Sequence, residues 1–295
     1  MSGAKNIRLT PIAAKDAHRF IRAHHYSGKT TLNSQLHFGI FLGAALIGAM
    51  QFGPSLDKSK LIGLVANTGW NGFIELNRLA LIDDTPRNAE SRALAIAMRL
   101  IKQQYPHIGW VVSFADATQC GDGTIYRASG FILTGLRPNT DLWIGPSECP
   151  SNLPNWLRQP YQAFIHRHGR IFHNMTLQGG ERHSVEQRNL KAAYYRYNNG
   201  SVSSQVFKDL GCQQLDGFQL RYIYFLDPTA RQRLTVPEIP FSEITTTGAN
   251  MYLGKRPKDS SEPPASHAGE GGAAPTRTLQ NLFPLRDRMS RLVTG

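Results

Sequence analysis

Residues 73–116 read FIELNRLALIDDTPRNAESRALAIAMRLIKQQYPHIGWVVSFAD, and the pattern of this stretch decides the fold. Phe73–Leu81 alternates well enough for a strand. From Pro86 to Gln104, Leu94, Ala97, Met98 and Ile101 recur at the spacing of one buried helical face. Thr85 stands where a helix cap belongs, Pro86 falls in the first turn, and Pro106 stops the helix. Trp110–Phe114 follows as a compact, β-branched strand. Strand, long helix, strand is the centre of a mixed α/β fold.

The flanks extend this centre in both directions. On the N-terminal side, Ile7–Ile12 reads as a strand and Ala14–His24 as a helix with Ala17, Phe20 and Ile21 on one side. A polar loop, His25–Gln35, leads to strands Leu36–Leu42 and Ala45–Phe52, joined by a turn at Gly43 and Ala44. Leu61–Val65 adds a short piece before the Gly-rich loop Asn67–Gly72. On the C-terminal side, Thr124–Ser129 is a short helix ended by Gly130, and Phe131–Leu136 is a strand. Regularity weakens after Asn139 through a Pro-rich stretch to Gln159. Beyond it, Arg170–Leu177 reads as a strand, Val185–Tyr197 as a helix and Phe218–Leu226 as a strong strand. The whole is α/β (α+β), a mixed sheet flanked by helices. It divides into a main folded domain over 5–254 with a basic insertion at 139–217, a disordered linker at 255–278 and a short basic tail at 279–295, helical around Leu279–Val293.

Composition narrows the function classes. Of the 295 residues 41% are hydrophobic, enough for a sizeable core, and the net charge of +12 points to a polyanionic partner, nucleic acid first. Three cysteines without CxxC spacing argue against a disulfide framework or a thiolate zinc site and for a reducing cytoplasm. The N-terminus has no apolar signal core, and the most apolar stretch, Phe38 to Phe52, is too short for a bilayer. A soluble cytoplasmic protein without a membrane partner is expected.

Four clusters carry chemistry. HHYSGK, His24–Lys29, joins two histidines, a tyrosine and a lysine at a helix end, offering proton transfer, metal ligation and phosphate contact. The same residues also suit a solvated helix end, with His24 near the last carbonyls. In the second cluster, Glu75, Asn77 and Arg78 lie on a half-buried strand, and Arg87 and Asn88 precede the long helix, where free amides favour an anion. A plain capped helix reads equally well there. In the third, SFADATQCGDGTIYRASGF, a strand ends in Asp116 before a glycine loop, and Tyr126 follows on a short helix. Asp116 is a base, a ligand or a turn cap. In the fourth, from Arg158 to Lys208, arginines and lysines interleave with Trp156, Tyr161, Phe164, Phe172, Tyr194, Tyr195 and Tyr197. That is the composition of a nucleic-acid surface, or of a solvated face with its aromatics in the core. The first alternative makes Arg167, Arg170, Arg188, Lys191 and Arg196, with Lys29, the DNA contacts.

Taken in order, HHYSGK, FGIFLG, LIGAMQFG, ELNRLAL, PRNAESRALA, VVSFAD, DGTIYRASGF and RYIYFL resemble the Mom family of phage DNA adenine-modification proteins, from about Ile7 to Gly254. The element order is also that of the GCN5-related acetyltransferases, although PRNAES lacks the glycines of their usual pyrophosphate loop. The resemblance implies an acetyltransferase-like enzyme that attaches a methylcarbamoyl (acetamido) group to adenine N6 in double-stranded DNA, protecting it from host restriction. It implies a site of His25, Tyr26, Arg78, Asp116 and Tyr126. Asp116 is then the base with His25 as the alternative, Tyr126 the acid, Arg78 the group that orients the donor, and Tyr26 a platform for a flipped adenine. Arg87 and Asn88 would bind the cofactor, an acyl donor such as acetyl-CoA. Iron is a further implied cofactor, with His24, His25 and Asp116 as its ligands. Cys120 lies where relatives tend to have glycine. An acetyl-CoA-dependent N-acetyltransferase of a small molecule or protein, and a non-catalytic DNA-binding protein, are the alternatives. The oligomeric state is open, a dimer included.

Overall fold

A computed structural model describes residues 3–27, 29–118, 121–173, 184–200 and 205–250. The described residues form two compact units, one made of those up to Asn139 together with those from Gly217, the other of Thr140–Asp216. The expected linker and tail, Cys120, and the part of the expected 170–177 strand beyond His173 lie outside the described residues.

Along the chain the first unit carries β1 (Ile7–Pro11), α1 (Ala14–His24), β2 (Leu36–Leu42), β3 (Ala45–Gly53), the one-turn α2 (Lys58–Leu61), β4 (Phe73–Leu81), α3 (Ala89–Gln104), β5 (Trp110–Asp116), α4 (Thr124–Ala128) and β6 (Ile132–Pro138). The second unit carries β7 (Leu142–Ile144), α5 (Asn155–His168), β8 (Ile171–His173), α6 (Val185–Tyr197), α7 (Gln205–Asp209) and β9 (Gln213–Gln214). The chain re-enters the first unit in β10 (Phe218–Phe225). The mixed α/β architecture with a flanked sheet is the one the pattern predicts. Helix α3 departs from expectation at its start. It begins at Ala89 after a left-handed Asn88 (φ 65°), with Thr85 and Pro86 in the preceding turn. The Pro86 carbonyl accepts the Ala89 N–H, closing that turn before the helix begins.

The sheet of the first unit runs β1-β2-β3-β4-β5-β10-β6. Neighbours are antiparallel except β4 and β5, which run parallel. Gly43, at φ 62°, makes the β2–β3 turn that a side chain would strain. Ala93, Leu94, Ala97, Met98 and Ile101 of α3 are buried in one apolar core with Phe38, Ile40, Phe52, Leu76, Val111 and Leu220 of the sheet.

Two irregularities shape the middle of this sheet. Between β3 and β4 the register passes from Gln51↔Arg78 to Phe52↔Leu76, so Asn77 is the extra residue of a bulge. Bulges twist a strand and re-aim its side chains. Between β4 and β5 the pairing covers only Phe73↔Trp110, Ile74↔Val111 and Glu75↔Val112. Past Glu75 the two strands part, each held by its other neighbour, and Ser113 Oγ donates to the Leu76 carbonyl at the neck of the opening (3.4 Å).

The second unit packs α5 against α6 beside the three-stranded sheet β8-β7-β9. Its core holds Trp143, Leu157, Tyr161, Phe164, Phe172, Leu190, Tyr194 and Phe207. Within the stretch that reads as irregular up to Gln159, Leu142–Ile144 forms β7 and α5 begins at Asn155, with Pro154 at its cap and Pro160 inside it. Pro160 removes one helical hydrogen bond, and burial of Leu157, Tyr161 and Phe164 outweighs that loss.

Candidate active site

The loop between α1 and β2 folds down over the bulged part of the sheet, and polar contacts fix its course. Thr30 Oγ1 donates to Gln51 Oε1 (2.8 Å), Ser34 Oγ to Asn77 Oδ1 (2.8 Å), and the Gln35 N–H to the Phe52 carbonyl (2.8 Å). Gly53 is required here, because a Cβ on it would stand 2.7 Å from Ser34 Cα. Arg78 ties the upper part of the loop to β4, its Nε donating to the Lys29 carbonyl (3.4 Å) and its Nη1 to the Asn77 carbonyl (2.6 Å).

His25 sits at the C-terminal cap of α1, with its ring 4.2 Å from that of Tyr26. Its Nδ1 accepts the Ser27 N–H (3.2 Å) and lies 2.8 Å from Ser27 Oγ. An acceptor at Nδ1 leaves the neutral ring's proton on Nε2. Burial, with the Arg78 charge added, lowers the His25 pKa to about 3, so the ring is neutral at pH 7. The same two causes, burial first, push the Lys29 ammonium below its ordinary range, although the residue as a whole is open to solvent. On β4, burial raises the Glu75 carboxyl against the opposing pull of hydrogen bonds from Ser55 and Asn77 and of the Arg78 charge. The structure therefore gathers His25, with Tyr26 against it, Lys29, Glu75 and Asn77 around the Arg78 guanidinium. That field disfavours further positive charge and favours a carbonyl or an anion.

Across the opening, Asp116 closes β5. Its Oδ1 accepts the Thr118 N–H (3.0 Å) and an Asn139 Nδ2 hydrogen (3.2 Å), so it does cap the following turn. Tyr126 on α4 is buried, its ring 5.1 Å from that of Tyr222 and 5.3 Å from that of Phe131. Gly123 makes the left-handed entry to α4 (φ 78°), and a Cβ there would press on the Tyr222 and Tyr126 rings.

Arg87 and Asn88 are exposed at the start of α3, which has no side-chain cap. Backbone amides of that first turn suit a phosphate. Glu90 in the same turn has its carboxyl pushed above its ordinary range by burial, although the residue as a whole is open to solvent.

The expected metal ligands do not assemble. The His24 ring is exposed on α1 with its centroid 4.4 Å from that of Phe20, His25 is engaged with Ser27, and Asp116 with Thr118 and Asn139. Among the described residues no group of three or more His, Cys, Asp and Glu side chains comes together to hold a metal ion. His24, His25 and Asp116, expected as ligands of an iron ion, thus do not form such a group among the described residues. Nor is any described helix long and apolar enough to cross a membrane.

The remaining basic candidates belong to the second unit. Arg188 and Arg196 are exposed on α6, opposite Leu190 and Tyr194, and Tyr195 stands on the same outer side, 50% exposed. Arg196 lies 4.5 Å over the Trp156 ring, and Lys191 is half-buried. Arg167 is paired with Glu186 (2.9 Å), and Arg170 donates to the Gly145 carbonyl (2.7 Å). The interleaved aromatics divide: Tyr161, Phe164, Phe172 and Tyr194 are core, so only Trp156, Tyr195 and Tyr197 could meet a base. Sequence reading missed Ser34, Gln51 and Ser55. One signal was available, since Gln51 is a lone amide in an apolar strand and is fully buried.

Residues 6–143 match the model of the Mom protein family. The chain is 32% identical to the methylcarbamoylase mom of Escherichia phage Mu over 233 residues, 79% of this chain and 80% of that protein. Among solved structures it is similar to the tandem GNAT protein of the clavulanic acid biosynthesis pathway (TM-score 0.40, 11% identity, 75% of this chain and 99% of that one). It is also similar to a Bacillus subtilis acetyltransferase in complex with CoA (TM-score 0.31, 10% identity, 45% and 79%).

Proposed function

The chain belongs to the Mom protein family, and from that premise we propose that it is a phage-type transferase adding a methylcarbamoyl (acetamido) group to N6 of adenine in double-stranded DNA. Such a group would protect the DNA from host restriction. The observation that carries this reading is the 32% identity to the phage Mu methylcarbamoylase over 79% of the chain. The family match over 6–143 spans His25, Tyr26, Arg78, Asp116 and Tyr126.

The amino lone pair of adenine N6 is delocalised into the ring, so N6 must lose a proton as it forms a bond. An acetamido group is joined through its CH₂ carbon. The new bond is therefore N6–C, the N6 proton passes to Asp116, and the donor's leaving group departs with the bonding pair and takes the Tyr126 proton. His25, with its proton on Nε2, acts as a hydrogen-bond donor to the carbonyl of the transferred group rather than as the alternative base. Arg78 orients the same carbonyl. Arg87 and Asn88, at the uncapped start of α3, would hold the phosphates of a donor. Acetyl-CoA itself carries its leaving group on the carbonyl carbon and would give an N-acetyl product. The N6–CH₂ bond calls for a donor whose leaving group sits on the CH₂ carbon of its acetamido unit. Tyr26, 39% exposed beside His25, stacks on an adenine rotated out of the duplex. Arg167, Arg170, Arg188, Lys191 and Arg196, with Lys29, contact the DNA backbone.

The test is mass spectrometry of nucleosides from plasmid DNA propagated with this protein. A deoxyadenosine heavier by an acetamido substituent is expected. An acetyl increment would instead favour a simple N-acetyltransferase, and unmodified adenine with retained DNA binding would leave a non-catalytic DNA-binding protein.

A further inference from the structure

A stacked adenine reaches a site enclosed by a folded loop only after it leaves the helix, and the vacated stack costs a few kcal/mol per step. The protein must fill or wedge that gap. The connection between β3 and β4, residues 54–72, carries side chains suited to it and used by nothing described above. Leu56 is 86% exposed and Trp70 is 60% exposed. Two large apolar side chains exposed on one connection leave apolar surface whose burial against a partner would be favourable.

Their setting specifies the partner. Leu56 directly follows Ser55, which hydrogen-bonds Glu75, and Glu75↔Val112 is the last pair before β4 and β5 part. The exposed leucine is thus anchored at the foot of the opening. Lys58, two residues on, holds its ammonium 4.9 Å over the Trp70 ring and donates to Asn71 Oδ1 (3.3 Å). Lys60, half a helical turn further, ends 3.8 Å from Asp57. An indole and an isobutyl group beside two ammonium groups, on a chain of net charge +12, match a polyanion with apolar faces between its charges. That is a base stack between phosphate rows.

We infer that Leu56 and Trp70 form a wedge that enters duplex DNA beside the adenine to be modified and holds its neighbours apart, with Lys58 and Lys60 on the flanking phosphates. This rests on the DNA-modifying reading above and adds to it the device that opens the substrate.

The experiment uses the full chain and a short duplex with 2-aminopurine next to the target adenine, whose fluorescence rises on unstacking. Leu56→Ala and Trp70→Ala are each compared with wild type, and unchanged thermal midpoints establish that both variants fold. The wild type is expected to raise the fluorescence severalfold. Each variant is expected to lose most of that rise and to modify the duplex at least about tenfold more slowly. Modification should recover to within about twofold of wild type when a mismatch opposite the adenine has already unstacked it. Variants that unstack and modify like wild type would overturn the wedge, and so would variants equally slow on matched and mismatched duplexes. Loss of self-association with unstacking intact would make the patch a contact between copies and also overturn it. Failure of the underlying reading has a different signature, since wild type itself would then leave adenine unmodified on every duplex.

Discussion

His25 and Asp116 bring two kinds of constraint to one opening. His25 is held neutral by burial and by Arg78, with a pKa of about 3 against an ordinary 6.5. Between those values the unfolded chain binds more protons at this residue than the folded one, so this contribution makes stability fall as pH drops from about 6.5 towards 3. The imidazole of His25 should therefore show no titration between pH 5 and 8 by NMR, and Arg78→Gln should move its midpoint upward. A midpoint near 6.5 in the wild type would contradict the enclosed geometry. Glu75 has the opposite sign. Its raised carboxyl makes stability fall as pH rises above about 4.5, its ordinary value. Asp116 separates structure from chemistry. In Asp116→Asn the amide oxygen can still accept from both Thr118 and Asn139, so the fold should lose no more than about 3 kcal/mol, the upper worth of a hydrogen bond to a charged group. If Asp116 is the base, modification should fall by about 10²- to 10⁴-fold. Intact modification would remove Asp116 from the mechanism.

At the scale of elements, the bulge at Asn77 and the early parting of β4 from β5 create the opening. Neither feature can be read from alternation, because both depend on which strand lies opposite. Phe73–Leu81 was legible as a strand, and its polar members Glu75, Asn77 and Arg78 as candidates. Their gathering beneath the loop carrying His25 and Ser34 was not. Helix α6 shows the other side of the same point. Its boundaries, Val185–Tyr197, are those its periodicity predicts, and its outer face presents Arg188, Tyr195 and Arg196. If this face meets DNA, neutralising Arg188, Lys191 and Arg196 together should reduce the slope of log affinity against log salt by up to about 2.7, at about 0.9 per lost phosphate contact. The thermal midpoint should hardly change. An unchanged slope in a binding titration would move the contact surface elsewhere.

For the whole molecule, the notable fact is where the chain leaves and rejoins the first unit. The Asn139 N–H donates to the Gly217 carbonyl (2.8 Å), so the two crossing points are neighbours. Replacing Thr140–Asp216 by a short glycine–serine turn should therefore leave a folded protein that keeps the core around α3. We propose that this intervening unit supplies backbone affinity, in which case the shortened protein should bind duplex DNA at least about tenfold more weakly at moderate salt. Calorimetry and a binding titration would check both parts, and an unfolded product or undiminished binding would refute them. The sequence by itself determined the mixed α/β class, because apolar periods of two and near four are local properties of successive residues. It also determined the family, through the ordered string of motifs from HHYSGK to RYIYFL. Tertiary structure alone decided that Tyr161, Phe164, Phe172 and Tyr194 serve the core, since composition does not record which side of a helix or strand faces solvent. It also decided that His24, His25 and Asp116 stand apart in the described residues, for a related reason. His24, His25 and Asp116 are all capable donors, but each ring or carboxylate is turned to a different neighbour by the backbone that carries it, and a metal site requires them to converge.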